Sequence, residues 1–111
     1  MATIDWHARA AALAFDGRAV IDGRRVAAVS GETFACASPI DGRLLTQVAR
    51  GQSADIDAAV ASARAAFEDR RWCGQPPAAR KKVLQRFAEK ILAAREELAL
   101  LETLDMGKPI Q

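Results

Sequence analysis

At Gly51 the apolar residues stop recurring at intervals of two and begin to recur at about 3.6, and this change of period is the main constraint on the fold. Upstream of it, RAVIDGRRVAAV sets Asp22-Gly23 between two short runs, with Val20 before the turn and Val26 after it. That arrangement is the strongest local signal for a tight hairpin. ETFACAS then extends into Pro39, which biases Ser38 toward β or polyproline geometry. PIDG predicts a turn with Gly42 at positive φ, and LLTQVAR predicts a further strand.

Downstream of Gly51 the pattern is helical. Ser53 is the expected N-cap of a first helix, with Asp55 in the first turn where an acid suits the helix dipole. Ile56, Val60, Ala63 and Phe67 share one stripe of it. RRWCGQPP breaks this helix, and the next opens at Pro77, where a missing N–H costs nothing. Val83, Leu84, Phe87, Ile91 and Leu92 form its apolar side, and Arg80, Lys81, Lys82, Arg86 and Lys90 lie elsewhere. A last helix carries Leu98, Leu101 and Leu104, stops at Gly107 and meets Pro109. At the other end, Asp5 caps a short helix presenting Trp6, Ala10, Leu13 and Ala14.

The order is helix, three or four short strands, then three helices, which would be an α+β arrangement in a complete chain. The helical stripes, however, exceed what so few short strands can cover. That mismatch predicts an apolar surface outside these 111 residues.

Composition excludes several functions. The chain is 50% apolar and 27% charged, ordinary values for a globular protein. Its net charge of +2 is mixed along the helices, so neither nucleic acid nor an anionic membrane is an expected partner. No apolar run approaches the roughly 20 residues of a membrane span, and MATIDWHARAAALAF lacks the features of a secretory signal. Cys36 and Cys73 lie far apart, without metal-ligand spacing, and read as reduced thiols of a soluble cytoplasmic chain.

Catalytic motifs are equally scarce. Gly107-Lys108 is no phosphate loop, because Glu102 stands where its first glycine would be and Pro109 where Ser or Thr would follow. No GxGxxG opens a helix after a strand. His7 has no nucleophile in its sequence context and reads as a surface side chain. Glu96 and Glu97 point to different sides of their helix, and the basic face around Arg80 is interrupted by Glu89. Neither cysteine has a nearby base or helix N-terminus to lower its pKa.

LETLDMGKP resembles the motif that closes the N-terminal region of the aldehyde dehydrogenase superfamily. The resemblance runs from about Trp6 onward. AVIDGRRVAAVSGETFACASPIDGRLLTQVARG is similar to the family's opening hairpin and strand, and SADIDAAVASARAAFEDRRW to its first long helix. PAARKKVLQRFAEKILAAREELALLETLDMGKP is similar to the following helix pair. The texture is nearest to bacterial enzymes acting on aminoaldehydes, such as γ-glutamyl-aminobutyraldehyde dehydrogenase.

The resemblance implies an α/β fold in which residues 1–111 form an incomplete, N-terminal part of the cofactor-binding domain. It also implies a whole enzyme, in this family usually a homo-oligomer, that uses NAD or NADP to oxidise an aldehyde to the acid. In the family's covalent mechanism a thiolate attacks the aldehyde, hydride passes to the nicotinamide and a base-activated water releases the acid. The groups for that chemistry lie beyond the GKP motif, so this chain is not catalytic by itself. Its partner would be the remainder of the enzyme or a full-length subunit.

Two structural expectations come with the resemblance. Backbone oxygens of Cys36 and Ala37, with Asp105, match a monovalent cation site, for which hard oxygen donors are suitable. Glu102 and Arg80 are candidates for an ion pair. One departure is visible, because relatives place Ser or Thr where this chain has Pro76 ahead of the helix-opening proline. Losing that cap costs about 1 kcal/mol. The rival readings are a non-catalytic binding or regulatory module derived from such an enzyme, and a small independent α+β domain.

Overall fold

Two residues at positive φ, Asp22 at 55° and Gly23 at 71°, close the first hairpin as the sequence predicts. Its arms are β1 (Ala19–Ile21) and β2 (Arg24–Val26), antiparallel with Val20 opposite Arg25. Two successive left-handed residues match the strand twist, and an Asp-Gly pair supplies them at low cost. The computed structural model describes residues 3–111, so the expected 1–111 span begins two residues outside the described part.

A second antiparallel pair follows, β3 (Thr33–Ala37) and β4 (Leu44–Ala49), joined through the Pro39–Gly42 turn. Gly42 N–H donates to Ser38 O at 2.8 Å, and Ser38 N–H to Arg43 O at 2.8 Å. The register slips between Cys36 and Ala37, which face Thr46 and Leu44. A bulge of this kind disrupts the ladder locally. The segment entering β1 crosses β4, where Ala49 N–H donates to Gly17 O at 2.7 Å. Gly17 packs so close that a Cβ there would lie 1.9 Å from Gln47 O.

Four helices complete the described residues: α1 (Trp6–Ala12), α2 (Ser53–Glu68), α3 (Pro77–Ala93) and α4 (Arg95–Met106). Asp5 caps α1 as expected, its carboxylate accepting from Ala8 N–H at 3.0 Å. The start of α2 differs from expectation, because Gln52, not Ser53, is the N-cap. The reason is Asp55, whose buried carboxylate reaches back to accept Gln52 N–H at 2.9 Å and so fixes the cap one residue earlier. Its other oxygen accepts Val29 N–H at 3.0 Å, which ties the end of the hairpin segment to α2. Pro77 opens α3, and Pro76 gives it no side-chain cap, as its missing hydroxyl dictates.

The packed core of the described residues is small. Ala28, Leu100 and Leu104 are the buried apolar residues, with Ser38 and Asp55 as the buried polar ones. The expected α4 stripe shifts accordingly. Leu98 is exposed, and Leu100, one helical turn before Leu104, takes the inward position. The stripes of α2 and α3 are almost wholly uncovered, with Phe67 66% and Phe87 60% exposed. The molecule is accordingly a slab, 46 × 42 × 19 Å, with a radius of gyration of 17.9 Å. A compact chain of this length would have roughly 13 Å.

Candidate functional site

The end of β3 and the end of α4 meet, and this junction holds the residues singled out from the sequence. Ser38 fastens it. Its buried hydroxyl donates to Leu104 O at 2.6 Å and accepts from Ile40 N–H at 3.3 Å. The first bond satisfies a carbonyl that the helix end leaves without an intrahelical partner. Gly107 then ends α4 at φ 75°, and its N–H donates to Thr103 O at 2.9 Å. A left-handed cap of this kind is unstrained only for glycine.

Cys36 and Asp105 are brought together here. The Cys36 thiol donates to Asp105 Oδ1 at 3.2 Å. That hydrogen bond, then partial burial and the carboxylate's charge, push the thiol pKa above its ordinary value. The thiol therefore stays protonated at neutral pH and is a weak nucleophile. Ala37 stands beside it at the bulge. A recess of about 280 Å³ opens at the junction, lined among others by Phe15, Thr46, Leu101 and Glu102.

Asp105 lies in the last turn of α4, which contains no basic residue. The negative end of the helix dipole disfavours a carboxylate there and favours a cation. Among the described residues no group of three or more His, Cys, Asp or Glu side chains could hold a metal ion. Any cation at this junction would depend on the single carboxylate plus main-chain oxygens, which is a hard-donor set.

The other expectations separate. Glu102 turns to Lys108, 3.4 Å away, not to Arg80. Lys108 lies just around the Gly107 cap, whereas Arg80 stands roughly 20 Å back along α3 from the Ala94 junction. Arg80 Nε is buried without a hydrogen-bond partner among the described residues. His7 is exposed and lines a separate recess with Trp6, Asp41, Arg43 and Thr103. Cys73 is exposed, and both cysteines are free. Lys81, Lys82, Arg86 and Lys90 are all exposed.

Three residues that organise the junction and its surroundings escape sequence reasoning. Ser38 is visible only as the residue before Pro39, Leu100 only as the i−4 neighbour of Leu104, and Asp55 only as a dipole partner.

Comparison with known proteins bears on what this junction belongs to. The model of the aldehyde dehydrogenase family matches residues 26–111. The NADP/NAD-dependent aldehyde dehydrogenase PuuC of Escherichia coli is 46% identical over 106 residues, covering 96% of this chain and 21% of that protein. Among solved structures, γ-glutamyl-γ-aminobutyraldehyde dehydrogenase from Burkholderia cenocepacia superposes with a TM-score of 0.94 at 54% identity. The match covers 96% of this chain and 22% of that one. An indole-3-acetaldehyde dehydrogenase in complex with NAD+ gives 0.93 at 56% identity, over 96% and 21%. The chain thus spans about a fifth of the length of the relatives it matches. No helix among the described residues is long and apolar enough to cross a membrane.

Proposed function

The chain belongs to the aldehyde dehydrogenase family, and from that premise we propose that it works as the opening segment of the cofactor-binding domain of an NAD(P)-dependent aldehyde dehydrogenase. The whole enzyme oxidises an aldehyde, of the aminoaldehyde class, to its carboxylic acid. One observation carries the reading. The backbone follows the N-terminal fifth of the solved relatives at TM-scores of 0.93 to 0.94, yet the apolar stripes of α2 and α3 lie open. In this reading the rest of the enzyme covers those stripes. The segment's task is to bring two amphipathic helices, held by the strands, against that surface. The whole enzyme is cytoplasmic in this reading, which the two unbridged cysteines support.

A chimera tests the proposal, with residues 1–111 replacing the corresponding segment of the E. coli relative. The expected result is a soluble enzyme that reduces NAD+ in the presence of an aminoaldehyde. A well-folded chimera that forms no NADH overturns the proposal. So does an isolated chain that binds no hydrophobic dye, since its stripes would then need no cover.

We further infer that the Cys36 and Ala37 backbone oxygens and the Asp105 carboxylate contribute to a monovalent cation site. The disfavoured carboxylate at the α4 C-terminus and the bulge beside it support this. In the same chimera, potassium should raise the melting temperature more than an equal concentration of choline. Asp105→Asn should remove the difference. An equal response in both proteins would rule the site out.

A further inference from the structure

We draw no further inference here: the strongest candidate, the uncovered apolar face of α2 and α3 around Val60, Phe67, Phe87 and Ile91, belongs to the reading already proposed, and nothing in the structure shows any other partner that covers it.

Discussion

α3 and α4 are built from similar material, and the chain treats them oppositely. Both are amphipathic, both mix aliphatic with charged residues, and Ala94 alone separates them. α4 buries Leu100 and Leu104 and gives the Leu104 carbonyl to Ser38, just past the end of β3. α3 buries no residue, although Val83, Leu84, Phe87, Ile91 and Leu92 line one side of it. Full burial of each such side chain stabilises by about 1.5–3 kcal/mol, so α3 forgoes most of the gain its sequence prepares. An amphipathic pattern specifies that a face is to be covered, and leaves the cover to whatever the remaining chain provides.

The largest expected effect separates these helices directly. In urea titrations of this chain, Leu104→Ala should cost about 2–5 kcal/mol, the usual penalty for emptying a packed site. Phe87→Ala should change stability by less than about 0.5 kcal/mol, as exposed substitutions do. In the chimera the second value should rise to about 3–5 kcal/mol, because Phe87 would then be interior. A large cost for Phe87→Ala in the isolated chain would mean that α3 is already covered, and the contrast between the two helices would collapse.

A smaller effect distinguishes the start of α2 from its outer stripe. Asp55 holds that start to Val29 through two backbone N–H groups. Those bonds, Gln52 first and Val29 second, lower its carboxyl pKa below the ordinary aspartate value, against the opposing effect of burial. A folded-state pKa below the unfolded one means that the unfolded chain binds more protons as acid is added. The stabilisation is therefore complete above the unfolded value and is lost as the pH falls through the depressed one. Asp55→Asn should lower the urea midpoint at pH 7 and flatten its decline between pH 5 and pH 2. Equal slopes in the two proteins would place the acid sensitivity elsewhere; Asp16, held low mainly by Arg18 with help from Arg25, is the first alternative.

The same contrast accounts for what could be read from sequence. The hairpin at Asp22-Gly23, the caps at Asp5 and Gly107 and the Pro77 start are local chemistry, decided within a few residues, and each stands where the pattern places it. The surplus of apolar helical face was also legible, because periodicity is a property of one helix. What escaped was relational. Gln52 displaces Ser53 as cap because a carboxylate three residues on reaches back. Leu100 replaces Leu98 as an inward residue because α1 lies on that side of α4, where Leu100 faces Trp6, Ala10 and Leu13. Glu102 meets Lys108 because the Gly107 cap folds the chain back toward it. Cys36 and Asp105 stand out in the sequence only as oxygen donors for a cation, and their thiol-to-carboxylate hydrogen bond depends on a contact 69 positions apart in sequence.

The smallest expected effect concerns α1, which lies against α4 but buries none of its residues. Its side-chain link to α4 is the ion pair of Arg9 with Glu96, whose side chains are 50% and 40% exposed. Arg9 also stands 5.7 Å from the centre of the Trp6 ring. Exposed pairs of this kind contribute roughly 0–1 kcal/mol and weaken as salt rises. Arg9→Ala should thus cost at most about 1 kcal/mol at low ionic strength, with the difference from the parent protein shrinking at high salt. Hydrogen exchange in residues 6–12 should quicken in the variant while α4 around Leu100 and Leu104 keeps its protection. If α4 loosened with α1, the short helix would be part of the core that distinguishes α4 from α3, and the boundary between packed and waiting surface would have to move outward to include it.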